Sequence, residues 1–173
     1  YNNLGNALRE VALVQDSINA YRRAIEYAEA ATRFPDWNWL DVHAPSSLYQ
    51  RNLASGLLDR GDHGDASQAV SLLQKAVRRA EGDRDRILLT LAQAQVQAGD
   101  PSGAAATARA IQLETLHVQE QIAMGHLLAA HGSAQEGLSV LATARHAAMV
   151  RRSEAMSDTL ADERIRDVQS IAV

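Results

Sequence analysis

The sequence predicts an all-α fold in which antiparallel helix pairs stack into a solenoid, and three observations lead to it. A large apolar residue followed by a very small one recurs at Gly5, Ala54, Ala92 and Gly125. Hydrophobic residues make up 46% of the 173 residues but aromatic residues only 4%, so the core is built mainly from Ala, Leu, Val and Ile. Proline occurs three times, which favours long uninterrupted helices.

Each small residue marks a first helix, and a second helix follows it after a turn. A bulky side chain at that position would push the two backbones apart, so we expect Gly125 and Ala92 to lie at close helix crossings. The predicted helix pairs are 1–11 with 16–33, 47–59 with 65–81, 83–98 with 101–115, and 117–131 with 133–152, followed by a last helix at 158–172.

The turns and helix starts have their own signals. A glycine stands seven residues after the anchor in three copies, at Gly61, Gly99 and Gly132, and Ala12 takes that place in the first. Asp100 before Pro101 supplies a helix N-cap followed by proline at the first helical position. Two further starts fit a capping box, Ser47 with Gln50 and Ser133 with Glu136.

The first and fourth copies carry a recognisable motif. They read Tyr1-x2-Leu4-Gly5-x2-Leu8 and Met124-Gly125-x2-Leu128, and their second helices read Ser17-x3-Tyr21-x2-Ala24 and Gly137-x3-Leu141-x2-Ala144. These residues resemble the tetratricopeptide repeat, a helix-turn-helix unit of about 34 residues with the signature W-x2-L-G-x2-Y, A-x3-F and P. The resemblance implies a right-handed superhelical α-solenoid that binds proteins and carries out no catalysis.

The chain departs from that family in several places. The anchors are 49, 38 and 33 residues apart, and the first interval carries an insertion at 34–46. The second and third copies are degenerate, and the signature proline is absent at its usual offset. The predicted domain is therefore one solenoid of four repeats, approximately 1–33, 47–81, 83–115 and 117–152, with a capping helix at 158–172.

The two ends of the predicted solenoid differ. The last helix carries apolar residues opposite a charged face, which suits the polar outer cap that a solenoid needs; they are Leu160, Ile165, Val168 and Ile171. The N-terminal end shows no such cap. Because Leu4 and Leu8 open a repeat directly, we interpret the chain as a fragment whose first repeat packs on upstream repeats or on a second copy, which would give a homo-oligomer.

Composition excludes several classes of function. The net charge is −4 with a sequence pI near 5.8, so the basic surface of nucleic-acid binders is missing. No apolar run reaches the roughly 18 residues of a membrane span. The six histidines lack the spacing of metal ligands, cysteine is absent, and no catalytic motif emerges. We expect no enzyme activity, no cofactor and no metal, and a cytoplasmic location. The excess of arginine and alanine suggests a GC-rich, bacterial genome.

The family resemblance implies which residues line a concave peptide-binding groove on the first helices. Asparagine suits that task, because one amide both donates to and accepts from a peptide backbone. The stretch from Asn2 to Asn6 is similar to the repeats of O-linked N-acetylglucosamine transferases and to carboxylate-clamp repeats, although Thr90 and Ala123 replace later asparagines. The predicted groove residues are Asn2, Asn6, Arg9, Arg51, Asn52, Ser55, Gln93 and His126.

The insertion contains both tryptophans, Trp37 and Trp39. Tryptophan often anchors protein interfaces, so this loop is a second candidate contact; alternatively it folds back over the first repeat. The leading functional hypothesis is a non-catalytic scaffold that binds a protein or peptide in its groove. The alternatives are a regulatory or sensor segment of a larger bacterial signalling protein (an ATPase, a protease or a transcription activator) and a self-associating structural repeat.

Overall fold

Eight α-helices follow one another in the computed structural model, which describes residues 1–31, 46–80 and 82–171, without the side chains of residues 154–171. No β-strand occurs in these ranges. The predicted interface residues Trp37 and Trp39 lie outside them. The helices are α1 Asn2–Glu10, α2 Val14–Ala31, α3 Ser46–Arg60, α4 Asp65–Arg79, α5 Arg84–Gln97, α6 Pro101–Arg109, α7 Val118–His131 and α8 Ala134–Ile171.

The helices pack in the order in which the chain makes them. Each helix contacts the next one, and the first helices α1, α3, α5 and α7 also contact one another from pair to pair. Stacking of consecutive helix pairs in this way is the arrangement of an α-solenoid. The predicted fold class, an all-α solenoid of helix pairs, is therefore confirmed.

Alanine dominates the interior. Twelve of the 27 buried hydrophobic residues in the described ranges are alanine, among them Ala54, Ala69, Ala76 and Ala92, which are 0% exposed. The larger buried residues are mostly leucine and isoleucine, with Tyr21 between α1 and α3 as the bulkiest fully buried side chain. Small side chains let helix backbones approach closely, and the helices are held by many short contacts.

The predicted close crossing at Gly125 is confirmed. A Cβ added there would lie 2.7 Å from Leu141 Cγ and 3.3 Å from the carbonyl oxygen of Gly137, both on α8. At the equivalent position of the first pair, a Cβ on Gly5 would lie 2.6 Å from Cδ1 of Tyr21 on α2. Both glycines leave room for a side chain of the second helix.

The turn seven residues after each anchor takes a common backbone form in three of the four copies. Gly61 and Gly99 have φ values of +70° and +84°, and Ala12 has φ +60° although it is not glycine. A left-handed conformation is strained for a residue with a Cβ. The repeat geometry thus imposes a glycine conformation on Ala12.

Replacing Ala12 with glycine is therefore expected to raise the free energy of unfolding by up to about 1 kcal/mol. Relief of roughly 1–2 kcal/mol of left-handed strain outweighs the roughly 0.4–1 kcal/mol that glycine adds to the entropy of the unfolded chain. Urea denaturation of both proteins measures the difference, with Gly99→Ala as the reverse control. A less stable Ala12→Gly variant would show that the turn at Ala12 is not strained.

Two predicted helix boundaries are wrong. The second helix of the third pair ends at Arg109 instead of 115, and the chain continues through a 3₁₀ turn at Leu113–Thr115. The side-chain amide nitrogen of Gln121, Nε2, donates to the carbonyl oxygens of Leu113 (3.0 Å) and Leu116 (3.1 Å). This contact with α7 shapes the segment.

The predicted break between residue 152 and a separate capping helix at 158–172 is also absent, because α8 continues from Ala134 to Ile171. Residues 153–157 contain neither glycine nor proline, so nothing in them interrupts the helix. The side chains proposed for the cap, from Leu160 to Ile171, lie outside the described side chains. Their capping role stays a prediction.

Candidate functional site

A cavity of about 290 Å³ opens on the side of the solenoid formed by the first helices. Residues of α1, α3, α5 and α7 all line it, so it crosses all four helix pairs. We call it the central groove, and its lining residues are Arg9, Arg51, Asn52, Ser55, Arg86, Leu89, Thr90, Gln93, Gln119, Glu120 and Ala123.

The structure brings most of the predicted site residues together. Five of them, Arg9, Arg51, Asn52, Ser55 and Gln93, line the central groove. Asn6 lines an adjoining cavity, and Asn2 is joined to Asn52 by a hydrogen bond. His126 is exposed on α7 and lines neither cavity. That these residues bind a ligand stays a prediction.

The adjoining cavity, about 450 Å³, lies at the N-terminal end of the groove. It is lined by Asn6, Arg9, Glu10, Tyr21 and Asp59, and we call it the N-terminal cavity. Arg9 lines both cavities, so its guanidinium stands at the boundary between them. The N-terminal cavity contains two carboxylates, whereas the central groove contains three guanidinium groups and one carboxylate.

The three asparagines form a hydrogen-bonded group. The amide nitrogen of Asn52 donates to Asn2 Oδ1 at 2.9 Å and to Asn6 Oδ1 at 3.5 Å, and the Tyr21 hydroxyl donates to Asn6 Oδ1 at 2.8 Å. Because Tyr21 also packs against Gly5, the contact of α1 with α2 orients the Asn6 amide. The amide nitrogens of Asn2 and Asn6 and the oxygen of Asn52 make none of these three bonds.

Arg9 is held by an ion pair and hydrogen bond between its Nε and Asp59 Oδ2. This hydrogen bond is the main reason that the pKa of Arg9 is raised above its ordinary value. The two side chains remain 41% and 39% exposed. Water competes strongly for such a pair, so it adds little stability.

Arg51 is the arginine of the central groove that makes no hydrogen bond or ion pair with any described residue. Burial lowers the pKa of its guanidinium, and the positive charges of Arg86 and Arg9 act in the same direction, against Asp83 and Glu120. The group still carries its charge at neutral pH, because arginine titrates far above that range. Arg51 is thus a partly desolvated cation that no described carboxylate contacts directly.

Arg86, a groove residue that was not predicted from the sequence, links α5 to α7. It forms ion pairs with Asp83 at 3.1 Å and with Glu120 at 3.2 Å, and it contacts the ring of His117. Glu120 also accepts a hydrogen bond from the backbone N–H of His117 at 2.8 Å, which completes a capping box at the start of α7. Arg86 lies three residues before Leu89, so both side chains share the groove face of α5. This spacing is the sequence signal by which Arg86 could have been predicted as a groove residue.

The N-terminal end of the solenoid carries an exposed apolar surface. Tyr1 and Tyr27 stack with ring centroids 5.1 Å apart and are 52% and 56% exposed. Leu4 is 50% exposed, while Leu8 is partly buried. The predicted self-association through this end stays a prediction.

No helix in the described residues is both long enough and apolar enough to cross a bilayer. Within the same residues, no three acidic or histidine side chains lie close enough together to hold a metal ion.

Consecutive helix pairs with a groove along their first helices define the chain as an α-helical repeat scaffold. Residues 62–124 match the family model described as tetratricopeptide repeat. The match covers 63 of the 173 residues, and the repeated helix pairs on both sides of it are consistent with the tetratricopeptide repeat family. The matched segment includes the whole third copy, although the motif of that copy is degenerate. The comparison with curated proteins gives no match.

Proposed function

We propose that the chain is a non-catalytic scaffold that binds an extended protein segment in the central groove, with an acidic group of that segment at Arg51. The match of residues 62–124 to the tetratricopeptide repeat supports protein interaction in general. The specific observation behind the acidic group is the partly desolvated guanidinium of Arg51, which forms no hydrogen bond or ion pair with any described residue. A carboxylate there would accept two parallel hydrogen bonds, which is the geometry that arginine offers best.

The other groove residues fit an extended backbone. Asn52 offers its side-chain oxygen as an acceptor in the groove, and Asn2 and Asn6, which are hydrogen-bonded to it, offer amide donors at the N-terminal end. Ser55 and Gln93 add further polar groups to the groove. A groove of about 290 Å³ offers a small contact area. We therefore expect micromolar affinity, which corresponds to a binding free energy of about −8 kcal/mol.

The test is a peptide array in which each acidic peptide is present with a free C-terminal carboxylate and as its amide. The parent, Arg51→Ala and an Asn6→Ala/Arg51→Ala double variant are compared, with thermal melts to confirm folding. We expect the double variant to lose at least about tenfold in affinity, or 1.4 kcal/mol. Arg78→Ala, an exposed arginine of the second helix α4, serves as the matched control and should bind like the parent.

Equal binding by the parent and the double variant would contradict the groove proposal. A second candidate, self-association, is favoured by the exposed Tyr1 and Tyr27 stack and by Leu4. Light scattering of the parent and of a Leu4→Ser variant measures it. A concentration-dependent dimer that the substitution abolishes, together with an array without ligands, would favour this candidate.

A further inference from the structure

The two cavities differ in charge, and Arg9 joins them. In the N-terminal cavity, Asp59 and Glu10 face a single cation, Arg9. In the central groove, Arg51 forms no hydrogen bond or ion pair with any described residue, and the positive charge of Arg86 acts on it together with the more distant carboxylates of Asp83 and Glu120. A ligand that crosses from one cavity to the other therefore meets negative charge at one end and positive charge at the other.

Arg9 is placed to change partners. In its ion pair with Asp59, the side chains of Arg9 and Asp59 are 41% and 39% exposed. An ion pair of this exposure contributes little stability, so water or another ion can replace either partner. Its side chain also lines the groove that contains Arg51. A second cation at Asp59 would release Arg9 without leaving the carboxylate uncompensated.

We propose that the partner segment is dipolar: its acidic group binds Arg51, and a basic side chain enters the N-terminal cavity, where it replaces Arg9 at Asp59. The released Arg9 then turns to the acidic group as a second guanidinium. This inference rests on the function proposed above and specifies the partner's charge pattern. It gives selectivity by repulsion as well as by attraction, because a purely acidic segment meets Asp59 and Glu10, and a purely basic one meets Arg51.

The helix geometry sets the spacing of the two charges. Arg51 and Asp59 are eight residues apart on α3, which corresponds to about 12 Å along the helix axis. An extended peptide advances about 3.3 Å per residue, so the acidic and basic residues should be three or four positions apart.

The probes are fluorescent capped peptides of glycine and serine that contain one lysine and one aspartate, in both orders and at separations of two to six positions. Versions with lysine or aspartate replaced by alanine accompany them. Affinities are measured by anisotropy for the parent, Arg51→Ala and Asp59→Asn. Glu136→Gln is the matched control, because Glu136 forms an equally exposed arginine pair, with Arg109, outside the groove.

We expect the best-spaced dipolar peptide to bind the parent roughly tenfold more tightly than its lysine-to-alanine version. In Asp59→Asn that advantage should disappear, and the purely acidic peptide should bind more tightly than it binds the parent because Arg9 is free. Equal affinity for the peptides with and without lysine, with Arg51→Ala still weakening both, overturns this inference and leaves the proposed function intact. Binding that is indifferent to Arg51→Ala overturns the proposed function itself.

Discussion

Replacing Gly137 with leucine is expected to lower the free energy of unfolding by about 3 kcal/mol, the upper end of the usual range for overpacking. A Cβ at this position of α8 would lie 2.5 Å from the backbone nitrogen and 2.6 Å from the Cα of Ala129 on α7. Backbone atoms cannot rotate away as a side chain does, so the two helices must separate. Urea denaturation followed by circular dichroism measures the loss.

Alanine at the same position makes the prediction sharper. Glycine to alanine within a helix normally stabilises it by up to about 1 kcal/mol, so a destabilised Gly137→Ala variant isolates the cost of the contact. The matched control is Gly56→Ala on α3, where the nearest atom is the side-chain Cγ1 of Ile18 at 3.1 Å, and we expect a change within about 1 kcal/mol. A Gly137→Ala variant as stable as the parent would show that α7 and α8 are not in close contact there.

The second large effect is expected at Asp65, which is 4% exposed at the start of α4. Its carboxylate accepts hydrogen bonds from Arg60 Nε at 2.8 Å and Nη2 at 2.6 Å, and from the backbone N–H of Asp62 at 3.0 Å. Asp65→Asn keeps the size of the side chain but removes the charge and one acceptor. We expect the free energy of unfolding to fall by about 2 kcal/mol at pH 7, because hydrogen bonds to a charged group in a buried site are lost. Urea denaturation measures the change.

The same pair gives a pH dependence whose direction is fixed. The hydrogen bond from Arg60 is the main reason that the pKa of Asp65 lies below its ordinary value. A carboxyl with a lowered folded-state pKa stabilises the protein above the unfolded pKa of about 3.9, and this contribution falls as the pH drops through the folded pKa. The difference in the free energy of unfolding between the parent and Asp65→Asn should therefore shrink as the pH falls below about 4.

Glu136 provides the control for this pair, since its pKa is also lowered, mainly by a hydrogen bond from Arg109, but both side chains are about half exposed. Glu136→Gln should change stability much less than Asp65→Asn at pH 7, because solvent screens the exposed pair. If the two substitutions had equal effects, burial would not be what makes the Asp65 pair strong.

The sequence was sufficient for the fold because its signals are local and repeated. The small anchors and turn positions recur, and the cap at Asp100 forms as predicted, with its carboxylate accepting from the backbone N–H of Gly103 at 2.8 Å. The capping box expected at Ser47 is not present, because α3 already begins at Ser46. A capping box that was not predicted starts at His117, a residue that propensity does not favour as an N-cap.

The candidate site was less accessible from the sequence. The resemblance to the tetratricopeptide repeat placed Arg51 and Asn52 on the groove side, but it contains no information on which charges pair. The engagement of Arg9 by Asp59 links residues 50 positions apart, and the orientation of Asn6 by Tyr21 depends on a tertiary contact. Such pairings depend on side-chain rotamers in the assembled fold, which no single helix determines.

The alanine-rich interior also constrains how this chain can diverge. At a buried alanine, substitution by glycine removes one methyl group, while almost every other substitution adds volume that close helices cannot take up. Relatives of this chain should therefore vary freely on helix surfaces, and at the twelve buried alanines they should drift only among glycine, alanine and serine. Enlarging one such residue would require a compensating reduction in the residue that faces it, so these positions should change in pairs.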